Sequence, residues 1–208
     1  MAGTLSEFLW NKTEKIRQEI LTTYFIQGIG DGSLNPTAFG GYMVQNSVYI
    51  YKAKNSIDIA RNAADSGPLK IYLGEASRSY EKKSKELFKN WQIENVEGIS
   101  LNDACQAYAD YEKAVASSQE TIYLIVAMIP RMKLWQWLGG KLKPGNKGVY
   151  KNWYDNNFDA DNIEYKKLDA FVDVAVANMT IDRKIALDIY TRCMEGELEF
   201  FKAVKNMF

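Results

Sequence analysis

FIQGIGDGSLNPTAFGGYMVQNSVYIY, residues 25–51, is the stretch that decides the fold. It reads as the end of one helix, a tight glycine-rich turn, and the start of a long aromatic-rich helix. Gly28, Gly30 and Gly32 break the first helix, and Asn35-Pro36 supplies a cap and a first position for the second. Beyond that start, Tyr42, Gln45, Asn46 and Tyr49 fall at i, i+3, i+4 and i+7, so a helix places them on one face. The stripe mixes rings with amides. It is either core with its amides at the rim, or one wall of a pocket.

Outward from this stretch the spacing stays helical, with no convincing period-2 strand. A first helix is expected from about Ser6 to Gln27, and the helix opened by Pro36 should reach about Ala64. Ser66-Gly67-Pro68 marks a stop and restart before a helix over Leu69 to Asn90. Ser100 to Asp103 forms an S-x-x-D capping signature for a helix to Ser118. The next helix is expected to kink at Pro130 and end at Gly139-Gly140, with a loop from Lys141 to Gly148. Three more follow: Val149 to Asn157, Asp161 to Asn178, and Thr180 to near the C-terminus. The expectation is an all-α bundle of about eight helices in a single domain, residues 1–208.

Composition narrows the function. The 208 residues are 47% apolar and 25% charged, with 26 basic and 26 acidic side chains and a net charge of zero, which leaves no basic footprint for nucleic acid. No run of about 18 apolar residues appears, so no membrane span is expected. The N-terminus lacks the basic region and apolar core of a signal peptide, which makes the cytoplasm the expected location. Two cysteines, Cys105 and Cys193, give no disulfide framework, and histidine is absent. That absence removes Ser-His and Cys-His nucleophile pairs, the usual His ligands of zinc and iron, and a His-ligated haem. No metal and no cofactor are expected; the expected partner is a small molecule.

Four further segments carry polar or aromatic groups suited to a pocket. Tyr108 has Cys105 and Tyr111 one turn to either side; alone it reads as a buried ring with its hydroxyl bonded. Ile129-Pro130-Arg131 leads to Trp135, Trp137, Leu138 and Gly139. Tyr150 to Asn157 carries Trp153 and Tyr154. Glu197, one turn after Cys193, precedes Phe200 and Phe201. Taken alone, this Glu reads as a solvated side chain between Glu195 and Glu199; among rings it suits proton transfer.

In order and spacing these segments resemble the TenA/thiaminase II family, whose pattern runs roughly F-x-x-x-I-x-x-G-x-L-x-x-x-x-F-x-x-Y-x-x-Q-D-x-x-Y. The chain supplies Phe25, Ile29, Gly32, Leu34, Phe39, Tyr42, Gln45 and Tyr49. Tyr108 precedes Pro130 by 22 residues, the spacing between the family's pocket Tyr and the Pro of its L-P-C motif, and Glu197 with Phe200 and Phe201 fits E-x-x-F-W. The resemblance implies a haem-oxygenase-like helical bundle assembled as a homotetramer or dimer. It also implies a pocket for the aminopyrimidine half of thiamin and hydrolysis to hydroxymethylpyrimidine. Glu197 takes the general acid/base role, with Tyr49 and Tyr108 as ring contacts.

Three positions depart from the pattern. Asn46 stands for the pyrimidine-binding Asp, Arg131 for the nucleophilic Cys, and Asn157 for a pocket Tyr. Arginine cannot attack carbon. Two readings follow. One is a salvage enzyme in which Glu197 activates water, or in which Cys193 or Cys105 acts as a displaced nucleophile rather than as an inert buried thiol. The other is a repurposed binding protein whose ligand is pyrimidine-like or anionic. Asn46 retains an amide oxygen that accepts from a ligand amino group. Arg131 either faces the pocket, holding an anion or pairing with Glu197, or turns outward to the surface. The resemblance further predicts that Glu197→Gln abolishes hydrolysis and leaves the fold intact.

Overall fold

The computed structural model describes residues 3–207. Ten α-helices and three short 3-10 turns make up its regular structure, and no strand occurs among the described residues. They are α1 (Leu5–Lys12), α2 (Glu14–Leu21), α3 (Tyr24–Asp31), α4 (Pro36–Ala63), α5 (Pro68–Asn90), α6 (Asp103–Ser118), α7 (Thr121–Leu142), α8 (Lys151–Asn157), α9 (Tyr165–Ala177) and α10 (Arg183–Ala203).

The two helices beyond the expected eight come from the N-terminal segment. Its single expected helix is three, because threonine hydroxyls compete for backbone carbonyls at both breaks. Thr13 Oγ1 donates to the carbonyls of Leu9 and Trp10, and the Arg17 guanidinium donates to the same Trp10 carbonyl. Thr22 and Thr23 donate back to Glu19 and Ile20. Gly28 and Gly30 do not break the chain; both lie buried inside α3, which ends at Gly32 with φ +79°. That left-handed conformation is the one a glycine adopts without penalty.

Other boundaries shift for identifiable reasons. The cap of α6 is Asn102, whose side chain accepts from the Cys105 amide, rather than Ser100. Helix α7 continues through Gly139-Gly140 to Leu142, because the missing side chain at Gly139 admits the Phe158 carbonyl against the helix. Pro130 lies inside α7, as expected.

Helix α7 is buried without a break from Ile122 to Arg131, the mark of a central helix. It packs against α10 and α9, while α10 also packs on α6 and α2, and α4 packs on α5 and α6. The buried apolar side chains form one contiguous core. At its centre the Phe25 ring stacks on Phe201 at 5.3 Å and lies 4.1 Å from Tyr42. Each such ring contributes on the order of 2–3 kcal/mol by leaving water. The aromatic stripe is therefore core and pocket wall at once: its Tyr42 end closes the core, and its Tyr49 end meets charged groups.

Candidate functional site

Helices α4, α6, α7 and α10 bring their polar residues to one place. α4 contributes Tyr42, Asn46 and Tyr49; α6 contributes Tyr108 and Glu112; α7 contributes Arg131 and Trp135; α10 contributes Cys193 and Glu197. The contacts join residues up to 85 positions apart in the chain. Gln45, the fourth member of the stripe, leaves this group. Its side chain brackets the 100–102 backbone, donating to the Ser100 carbonyl at 3.1 Å and accepting from the Asn102 amide at 2.9 Å.

Arg131 faces inward. It is 7% exposed, Asn46 2% and Glu197 1%. Its guanidinium donates to Glu197 Oε1 at 3.1 Å and to Asn46 Oδ1 at 2.8 Å. The other carboxylate oxygen, Oε2, accepts from the Trp135 indole at 2.9 Å. Above and below, the guanidinium carbon lies 4.7 Å from the Tyr49 ring centre and 4.2 Å from that of Trp135. Opposite charges at hydrogen-bonding distance, with the remaining polar atoms engaged, are what makes a buried pair tolerable. Arginine has no acceptor, so the Asn46 oxygen must face it. The oxygen expected to meet a ligand amino group is thus already taken, and the amide NH2 is the group left to a ligand.

Tyr49 and Tyr108 stack at 5.0 Å, and the Tyr49 hydroxyl donates to Glu112 Oε1 at 2.9 Å. Glu112 is buried, and desolvation pushes its pKa from an ordinary 4.5 up to about 8 against the opposing pull of the Tyr49 hydrogen bond and of Arg131. Near neutral pH it is therefore mainly a neutral acid, and the Arg131–Glu197 pair leaves the cage with no net charge. Nothing singled out Glu112 in the sequence, although it lies one helical turn beyond Tyr108 on the same face of α6. The sign of its linkage is testable. Between about pH 4.5 and 8 the unfolded chain releases a proton that the folded chain keeps, so this group makes stability fall as pH rises through that window. In Glu112→Gln that component should vanish. Melting temperatures measured from pH 5 to 9 should show the wild type losing ground to the variant; parallel curves would refute the assignment.

Neither cysteine is placed to act as a nucleophile. Cys193 is fully buried, and burial pushes its thiol well above the ordinary value. Cys105, also buried, is pushed up to about 12, and its Sγ donates to the Gln45 carbonyl at 3.7 Å. A protonated, water-free thiol is inert.

A cleft of about 660 Å³ opens over Asn46. Phe39, Trp91, Trp153, Lys83 and Asn157 are among the residues that line it. Asn157 thus shares a cavity with Asn46 but stands outside the Arg131 cage, and its Nδ2 donates to the Trp153 carbonyl at 2.8 Å. Phe158, beside it, packs against Trp135 and Trp153. On the other side of Arg131 lies a space of about 10 Å³ lined by Tyr49, Tyr80 and Glu112, too small for any ring. Two other clefts, of about 450 and 780 Å³, include none of the residues of this site. Among the described residues no group of three or more Cys, Asp or Glu side chains could hold a metal, and no helix is long and apolar enough to cross a membrane.

No protein-family model matches the chain. Among curated proteins it is similar to the thiamine biosynthesis multifunctional protein ThiED of Corynebacterium efficiens, 25% identical over 210 residues. That match covers 96% of this chain but only 28% of the relative, so the chain spans just over a quarter of that protein's length. Among solved structures it is similar to a TenA homologue from P. horikoshii OT3, with TM-score 0.84, 18% identity, and 99% and 100% of the two chains covered. A TenA family transcription regulator from Silicibacter sp. TM1040 gives 0.82 at 14% identity, covering 97% and 96%. A putative TenA-like thiaminase from Sulfolobus solfataricus P2 gives 0.72 at 20%, covering 99% and 97%. The all-α fold is that of the TenA homologues.

Proposed function

We propose that this chain serves thiamin metabolism by binding an aminopyrimidine derived from thiamin in the cleft over Asn46. The observation that carries the reading is the shared wall. Asn46 belongs both to the aromatic lining of the cleft and to the Arg131–Glu197 cage, so a ring seated there meets a hydrogen-bond donor and stacking surfaces, with the Glu197 carboxylate one contact behind them, bonded to Arg131. The fold shared with TenA homologues and the likeness to a thiamine biosynthesis protein support the same ligand class. Turnover, where it occurs, runs through Glu197 moving a proton to or from water, because both thiols are sealed in the core. On this reading residues 1–208 act as a single domain in the cytoplasm, assembled as a homodimer or homotetramer.

The alternative, a binding protein without catalysis, is favoured by one feature. Both oxygens of Glu197 are engaged by Arg131 and Trp135, so proton transfer requires that pair to loosen. The deciding experiment is a mass-spectrometric product assay of the full chain with aminomethylpyrimidine and with thiamin. Hydroxymethylpyrimidine formed above the protein-free rate establishes a hydrolase. Saturable binding without product establishes the binding protein. Neither binding nor product for either compound defeats the proposal.

A further inference from the structure

Arg131 has a second acid close by. Tyr49 donates its hydroxyl to Glu112 Oε1, and Glu112 Oε2 is buried without a hydrogen-bond partner. The carboxyl is thus disposed as a carboxylate would be, one oxygen served by a donor and the other open to a second. Arg131 shares with it the space of about 10 Å³ that Tyr49 and Tyr80 also line, about the room one water takes and so enough for one NH2 of a guanidinium. The guanidinium already lies over the Tyr49 ring, and Glu112 holds the hydroxyl of that same ring. A slide along the ring carries it from Glu197 toward Glu112. The ionisable groups facing Glu112 are Tyr49 of α4, Tyr80 of α5, Cys105 and Tyr108 of its own helix, Arg131 of α7, and Cys193 and Glu197 of α10. Among these, Arg131 alone is a cation.

We propose that Glu112 is a second seat for the Arg131 guanidinium, and that a ligand bound over Asn46 moves Arg131 into it. The inference deepens the proposed function and rests on it. In the first seat Arg131 occupies Glu197 Oε1 and Asn46 Oδ1, the two oxygens that proton transfer and an exocyclic amino group would use. The ligand's amino group takes over the Asn46 oxygen, and a proton changes owner. It leaves Glu112 Oε2, and one arrives at Glu197 Oε1. The neutral Glu112 acid with the Arg131–Glu197 ion pair becomes an Arg131–Glu112 ion pair with a neutral Glu197 acid. The net charge stays zero throughout, so no charge is stranded in the core. Glu197, its Oε2 still bonded to the Trp135 indole, emerges as the acid that protonates a departing amine. Glu112 touches neither ligand nor leaving group. It is a positioning residue that acts through Arg131. Burial first, against the Tyr49 hydrogen bond and Arg131, holds its pKa at about 8 in the first seat, so at neutral pH the proton to be moved is in place.

Two experiments on the full chain test the second seat. The first needs no ligand. Glu197→Gln strands Arg131 only while Glu112 is protonated, and the unpaired guanidinium draws the Glu112 pKa below its wild-type position. The variant therefore forfeits less stability than the wild type as pH rises. Thermal melts from pH 5.5 to 9 should show the Tm deficit of Glu197→Gln largest at the acid end and shrinking upward; in a Glu112→Gln background the deficit should stay level. A level deficit with Glu112 present overturns the second seat and leaves the aminopyrimidine reading standing. The second experiment does not depend on Glu197→Gln folding. It is a titration with hydroxymethylpyrimidine at pH 7, followed by calorimetry and by NMR of chain labelled with carbon-13 at its glutamate carboxyls. The Glu112 signal, assigned by its absence from Glu112→Gln, should move from the protonated to the ionised position. Glu112→Gln should bind about tenfold more weakly, the worth of the hydrogen bond that the Asn46 oxygen no longer accepts from the ligand. Glu112→Asp, which restores a carboxyl, should recover part of that loss. Binding with Glu112 still protonated, or with full affinity in Glu112→Gln, overturns the inference alone. Failure of the wild type to bind overturns the ligand-driven move together with the reading beneath it.

Discussion

Glu197→Gln should lower folding stability by about 3–5 kcal/mol, the cost of leaving one member of a buried ion pair without its partner. Arg131, 7% exposed and enclosed by Tyr49 and Trp135, would keep its charge with only an amide to meet it. For a chain of this length that is a drop in Tm of about 10 °C. Arg131→Met should cost a similar amount, because it strands the Glu197 carboxylate. The double variant Arg131→Met/Glu197→Gln should recover much of the loss, since it leaves no buried charge behind. A thermal-melt cycle over the four proteins measures the coupling directly. Additive losses would mean the pair contributes no interaction of its own. Sequence resemblance alone predicts that Glu197→Gln spares the fold; the geometry reverses that expectation. Any loss of activity in this variant must therefore be read beside its stability.

Gly196→Ala is the second large effect, and its sign is unusual. In the interior of a helix this substitution ordinarily stabilises by about 1 kcal/mol. Here the added methyl would lie 2.6 Å from Cδ2 and 2.7 Å from Cγ of Tyr108, whose ring is buried and stacked on Tyr49. Either the ring or α10 must move, and overpacking of this kind costs about 1–3 kcal/mol. Denaturant melts should show Gly196→Ala losing about 2 kcal/mol. In a Tyr108→Leu background the same change should be close to neutral. A stabilised Gly196→Ala variant would show that α10 does not seat on the Tyr108 ring as described.

The long α4 helix was legible from local chemistry: Asn35 caps it, Pro36 starts it, and its ring-and-amide stripe marks a face that meets other helices. The resemblance named most of the residues that converge, since Asn46, Tyr49, Tyr108, Arg131 and Glu197 do meet. The partners of those residues were not legible. That Arg131 touches Asn46 depends on the placement of α4 against α7, and no local pattern spans 85 residues. The contact has its own lesson. Two of the three departures from the family pattern are bonded to each other, and an Asp at position 46 would have left this cage with a net negative charge. The breaks at Thr13 and Thr22 escaped because the apolar period runs on across them while the hydroxyls quietly withdraw carbonyls from the ladder. Gly139 reads as a helix stop only when the Phe158 carbonyl that fills its place is out of view.

The chain contains no histidine, the side chain that ordinarily senses pH near neutrality. That role passes to Glu112, which burial beside the Arg131 guanidinium pushes up to about 8. Raising the pH through this value adds a negative charge at Glu112, and the electrostatic potential at the guanidinium falls with it. A protein that is electrically balanced as a whole thereby acquires, at its centre, a local response to alkalinity.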